Sequence, residues 1–280
     1  MTTKTPANID KVRDALKLIE ENADESSSYA FDKKAIAMIF KTLPKESPKN
    51  TYDNTLVELT VIDSLYSTQM GRRYYGLYEL ARMLEDLQAS KDDLRESFIK
   101  LADGEIKSGD KLFEHGKKNL FTEKYGIGKD GSDKGTAVSL ISKYAYFLTD
   151  YKFPIYDSIA REMYPRIWKY CGFKESCPSA VELASLDGFI KGINSLMGKL
   201  SIKSYDTMDR LLWTVGKIMR GNLSLILTME EYQDLRKKKL IGEDGFDLAG
   251  TDLRKLTFLQ KKPLLNAMFG LAKELSAKKL

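Results

Sequence analysis

The chain has 280 residues, 42% hydrophobic and 30% charged, a composition that buries a sizeable core and excludes wholesale disorder. Two cysteines, Cys171 and Cys177, and one histidine, His115, exclude a disulfide scaffold, a four-thiolate metal or iron–sulfur centre and a His-pair zinc site. The net charge of +5 is uneven: Lys199 to Leu280 holds 16 Lys and Arg against 10 Asp and Glu, whereas the first 198 residues balance to −1.

A basic C-terminal third on a near-neutral body points to a polyanionic partner, nucleic acid before membrane, or simply to a well-solvated surface. No apolar run approaches the roughly 18 residues of a membrane span. The opening MTTKTPANIDK has no apolar stretch of a signal peptide, so a cytoplasmic chain is expected.

In chain order the pattern is helical. Val12, Ala15, Leu16 and Ile19 recur at spacings of three and four and predict a helix from Ile9 to Asn22. Further helices are expected near 30–42, 53–66, 73–87 and 91–103, a stretch in which no proline after Pro48 forces a break. Ala137, Leu140, Ile141, Tyr144 and Leu148 form the stripe of a helix from about Lys134 to Leu148. Another begins at Asp157 or Ser158 and runs toward Tyr170; helices near 179–197, 206–220 and 263–277 follow. Leu223 to Leu227 is the best short strand, and the glycine-rich patches 126–135 and 242–250 read as loops. The expected fold is all-α and two-lobed, with a helical domain over 1–220 and a basic C-terminal extension over 221–280.

Three features could carry chemistry. The first is Leu65-Tyr66-Ser67-Thr68-Gln69-Met70, followed by Gly71-Arg72-Arg73-Tyr74-Tyr75. Its hydroxyls, amide, arginines and tyrosines suit phosphate contacts and base wedging, and equally suit an ordinary helix end. The second is Gly126-Ile127-Gly128-Lys129-Asp130-Gly131, which satisfies G-x-G-x-x-G without the buried strand a dinucleotide site needs. A tight glycine turn between two helices is the better reading, and its backbone N–H groups, with Lys129 and Lys134, could hold a phosphate. The third is Phe153-Pro154-Ile155-Tyr156-Asp157-Ser158, where Asp157 reads either as a helix N-cap or as a carboxylate facing a cleft.

The order of these features resembles the helix-hairpin-helix DNA glycosylase superfamily over roughly residues 50 to 220. The nearest wording is that of the adenine-excising branch, with its L-Q-Q-T-Q-V helix, L-P-G-V-G-R-x-T-A hairpin and F-P-I-x-D. Here the counterparts are Leu65 to Met70, then Gly126-Ile127-Gly128 with Thr136-Ala137, then Phe153 to Asp157. Ser142 to Leu148 and Asp209 to Trp213 resemble helix-hairpin-helix-like proteins as well. Seven residues separate Gly128 from Thr136, so the hairpin is enlarged, and the four-cysteine cluster of several branches has no counterpart.

The resemblance implies a DNA-binding enzyme that flips out a damaged or modified base and cleaves its N-glycosidic bond, in genome repair or in defence against phage. It gives Asp157 the carboxylate that stabilises the oxocarbenium-like sugar. Lys143 is the favoured Schiff-base nucleophile should the enzyme also cut the strand, Lys134 the alternative; a lysine snorkelling from the stripe's edge is the structural alternative for Lys143. Tyr66, Ser67, Thr68, Gln69, Arg72, Arg73, Gly126, Gly128, Lys129 and Lys134 are expected on DNA, with Lys237, Lys238 and Lys239 on its phosphates. Phe147, Tyr156 and Trp213 would sandwich the base, or serve as plain core. No metal or cofactor is expected, the chain should act as a monomer, and His115, in a polar helix end, is given no role. A non-catalytic DNA-binding protein and a helical interaction module remain the alternatives.

Overall fold

The structure, a computed structural model, describes residues 7–22, 28–43, 51–66, 68–90, 93–128, 131, 135–242 and 245–277. It is mostly helical. The helices are α1 (Ala7–Glu21), α2 (Ser28–Thr42), α3 (Thr51–Tyr66), α4 (Gly76–Ser90), α5 (Leu94–Asp103), α6 (Val138–Leu148) and α7 (Ser158–Cys171). After them come α8 (Ala180–Ala184), α9 (Leu186–Leu200), α10 (Tyr205–Met219), α11 (Met229–Lys237), α12 (Thr257–Gln260) and α13 (Pro263–Ala277). Among the described residues three two-stranded antiparallel ribbons accompany them: β1 (Arg73–Tyr74) with β4 (Ile127–Gly128), β2 (Glu114–His115) with β3 (Lys118–Asn119), and β5 (Ile241–Gly242) with β6 (Gly245–Phe246). No helix among the described residues is long and apolar enough to cross a membrane.

The chain divides into two compact units. One comprises residues up to Phe31, Asp157–Ala184 and Gly192–Leu280; the other comprises Asp32–Tyr156 and Ser185–Lys191. The division falls at 31/32, 156/157, 184/185 and 191/192, and residue 220 lies inside the first unit. Residues 221–280 belong to the first unit, where α13 packs against α1, α7 and α10.

In the first unit the stripe read from sequence in α1 enters the core, with Val12, Ala15, Leu16 and Ile19 buried, and Leu264, Met268, Phe269 and Leu275 of α13 are buried as well. Gly216 lets α10 approach α7, because a Cβ there would collide with Ile159. Tyr170 donates to Glu274 at 2.5 Å, and Lys11 reaches the same carboxylate at 2.6 Å, so α7, α13 and α1 share one polar tie. Leu223 to Leu227, expected as a strand, instead starts with a 3-10 turn at Leu223–Leu225 whose first leucine is buried. The expected loop at 242–250 contains three of the four residues of the β5–β6 ribbon, and the helix expected over 179–197 is broken at Ser185 into α8 and α9.

In the second unit α3 packs against α4 and α6, and α5 against α6. Phe98 is the centre of a ring cluster with Phe113, Phe121 and Phe153, at centroid distances of 5.4, 6.3 and 5.6 Å. Edge-on and tilted rings at such distances hold a core without charge or hydrogen bonds. Between α5 and α6 no α-helix occurs among the described residues; turns and the paired strands β2, β3 and β4 fill the interval.

Candidate nucleic-acid interface

The polar run after α3 is built on Asp63. Its carboxylate accepts from the Thr68 hydroxyl, from Met70 N–H at 2.8 Å and from Gly71 N–H at 2.7 Å. This ties the chain into a turn that passes through Gln69 in the left-handed region, φ 66°, and leaves Gln69 and Arg72 exposed. Thr68, expected on DNA, is thus already engaged by Asp63. Ser67 lies outside the described residues.

The turn delivers Arg73 and Tyr74 into β1, where Arg73 faces Gly128 and Tyr74 faces Ile127 across the ribbon. Two sequence features more than fifty residues apart become one surface. Gly126 makes the approach possible: its φ is +66°, and a Cβ there would lie 2.7 Å from the Gly76 Cα. Its N–H donates to Glu79 at 2.8 Å. Gly135, bridged to Tyr125, leaves room for the Arg73 guanidinium, which would collide with any side chain at 135. One terminal nitrogen of that guanidinium is buried with no hydrogen-bond partner among the described residues. Tyr74 and Ile127 stand 55% and 43% exposed beside it.

Within the glycine segment, Ile127 and Gly128 form a ribbon strand rather than the expected turn between two helices. Its neighbours Lys129 and Lys134 lie outside the described residues.

Lys143 departs from the snorkelling alternative. It is 3% exposed on α6, its Nζ donates to the Ser139 hydroxyl at 3.1 Å, and it stands 5.7 Å from the centre of the half-buried Tyr66 ring. One turn along, Phe147 packs against Phe40, Tyr66, Tyr146 and Tyr151. Tyr156 belongs to a different cluster, edge-on to Phe189 at 5.3 Å. Both rings are buried, so these two expected base-pocket residues serve the core of the second unit and do not face each other. Trp213 is half-buried in the first unit, with Lys217 Nζ 5.5 Å from its ring.

Asp157 opens α7 in the first unit. Its backbone is extended, φ −142°, and its carboxylate accepts Ala160 N–H at 2.8 Å, which fulfils the N-cap reading. The side chain is half-buried. Lys237, Lys238 and Lys239 are all exposed at the end of α11, where Lys238 pairs with Asp234 at 2.7 Å.

Among the described residues no group of three or more His, Cys, Asp or Glu is placed to hold a metal ion. Burial pushes the Cys177 thiol up, which opposes thiolate chemistry there. Burial, then the nearby Glu123 and Glu79, pushes the Tyr125 phenol far up, so it stays neutral.

No family model, curated protein or solved structure matches the chain.

Beside the ribbon, sequence reasoning missed a cleft of about 700 Å³ in the second unit, lined by α4, by the turn joining β2 to β3, and by Tyr52 of α3. The signal was present. Tyr75, Tyr78, Glu79 and Arg82 follow the three- and four-residue spacing of one helix face, and His115-Gly116-Lys117-Lys118 is a compact basic turn. Neither stood out because the apolar stripe of α4 accounts for the helix by itself.

Proposed function

We propose that the chain binds DNA on the ribbon face of its second unit and removes a modified base by cleaving its N-glycosidic bond. The observation that carries the binding is the β1–β4 pairing, which gathers Arg72, Arg73, Tyr74 and Ile127 beside Gln69. Arginines meet phosphates, and an exposed ring and an aliphatic wedge meet unstacked bases. The Arg73 nitrogen that has no hydrogen-bond partner among the described residues is the kind of donor that an anion completes.

Excision rests on the resemblance of Phe153 to Asp157 to the glycosylase motif. The Asp157 carboxylate would oppose the positive charge that grows on the sugar as the bond breaks, after the base has left the stack. Lys143 could form a bond to C1′, as the C1′–N bond breaks and the base leaves with the electron pair, only if its amine were uncovered. Its burial favours a second reading, in which the same face binds DNA and no chemistry follows.

The deciding experiment incubates the protein with duplexes carrying single modified bases, then applies alkali, with borohydride added in parallel. Alkali-labile sites at one lesion, absent with Asp157→Asn, are the expected result. A borohydride adduct that persists in Lys134→Ala and disappears in Lys143→Gln would assign the amine; the reverse pattern would assign Lys134. Salt-sensitive binding with no labile site across the panel would leave the binding reading alone.

A further inference from the structure

We infer that the cleft beside the ribbon is a nucleotide site, in which α4 supplies stacking faces and the β2–β3 turn supplies cations. The helix carries two distinct stripes. Leu80, Leu84 and Leu87 are fully buried and hold it to the core, while Tyr78 and Arg82, one turn apart, line the cleft together with Tyr75, the residue just before the helix. Tyr75 and Tyr78 are 67% and 55% exposed, an unusual amount of tyrosine ring to present to water at adjacent turns.

Tyr75 is also held at φ 64°, a left-handed conformation that a bulky side chain adopts only under constraint. Its ring buries little, so packing of that ring does not account for the strain. The strain does place the ring at the lip of the cleft, one residue from the Tyr74 of the ribbon.

On the same lining, Lys117 of the β2–β3 turn and Lys118 at the start of β3 are exposed. The carboxylates of the wall face donors of the wall: Glu79 accepts Gly126 N–H, Asp86 lies 3.9 Å from His115, and Glu123 lies 3.8 Å from Lys118. Arg82 lies 4.4 Å over the Tyr52 ring, so its guanidinium plane extends the stacking surface. Flat π faces and ammonium groups on one lining match a planar heterocycle joined to a phosphate, and about 700 Å³ is ample for one nucleotide. The shared chemistry is a nucleoside phosphate, either free or as an unpaired residue of a strand. The ribbon reading bears only on which of these sources applies.

The test is calorimetric titration of the full chain with dAMP and dTMP as free nucleotides, with a twelve-residue thymidine oligonucleotide, and with a plain duplex. Binding of a free nucleotide or of the oligonucleotide is expected, and which of them binds identifies the source. Tyr75→Gly removes the ring and relieves the strain, so it should weaken that binding tenfold or more while raising the melting temperature. Lys117→Gln should weaken it and lower its salt dependence. Wild-type affinity in Tyr75→Gly, a fall in its melting temperature, or no binding of either nucleotide form would overturn the inference. Duplex binding with an inert cleft would leave the proposed function standing, whereas a working cleft without base excision would leave only this inference.

Discussion

The first unit carries its candidate chemistry at the ends of helices. Asp157 opens α7 and Lys237 to Lys239 close α11, and each position is defined by residues within one turn of it. The second unit works differently: Arg73 and Tyr74 meet Gly128 and Ile127 only because the chain returns after more than fifty residues. Charge counting favours the first unit, since its C-terminal part holds the basic excess. The second unit carries 21 Lys and Arg against 20 Asp and Glu, close to balance, yet it holds the surface where rings and cations stand together. Net charge locates a potential; a recognition surface also needs geometry.

That comparison can be broken at Gly126. Its φ of +66° and the 2.7 Å approach of the Gly76 Cα both forbid a side chain. Gly126→Ala should cost about 3 kcal/mol, summing backbone strain and overpacking. Gly116 shares the conformation, φ +62°, but has open space around its Cβ position, so Gly116→Ala should cost only about 1 kcal/mol. Urea unfolding measures both. Equal costs would mean that the ribbon contact is not what holds the second unit's surface together, and duplex binding should then survive in both variants.

The same comparison shows why some features are legible in sequence and others are not. The helix expected over 263–277 coincides with α13, and the stripe of α1 is the one read from its spacing, because an amphipathic face is local information. The β1–β4 ribbon has two-residue strands with no alternation to detect, and its signature is glycine at 126 and 135 where a neighbour's backbone or guanidinium must pass. Likewise α4 starts at Gly76, later than expected, because Arg73 and Tyr74 are drawn into β1. Lys143 sits at the edge of the α6 stripe by spacing alone, and its burial depends partly on the Tyr66 ring of α3. The unit boundary at 31/32 is invisible in composition, since α2 runs through it without a proline or glycine.

Asp157 sharpens the comparison from the other side, because its cap and its charge can be separated. Asparagine caps a helix about as well as aspartate, so Asp157→Asn should keep unfolding free energy within about 0.5 kcal/mol, while Asp157→Ala should lose about 1 kcal/mol. The proposed base excision, which would need the negative charge, should fall about 100-fold or more in both. Excision within a few-fold of wild type in Asp157→Asn would reduce the residue to its cap.

The smallest expected effect belongs to the lysine run. Lys237, Lys238 and Lys239 are exposed, and Lys238 already has Asp234 at 2.7 Å, a surface pair of the kind worth well under about 1 kcal/mol. Replacing all three by glutamine should therefore leave unfolding nearly unchanged. On DNA, each lysine at a phosphate steepens the logarithmic dependence of affinity on salt by about 1. Lys238 must exchange Asp234 for that phosphate, so its net contribution is smaller than that of its neighbours. A triple variant whose slope flattens by about 2, with affinity reduced alike for every sequence, would place the first unit's helix end on the backbone. An unchanged slope would assign the phosphate contacts to Arg72, Arg73 and the lysines of the second unit, and removing the charge of Arg72 should then flatten the slope where the triple variant did not.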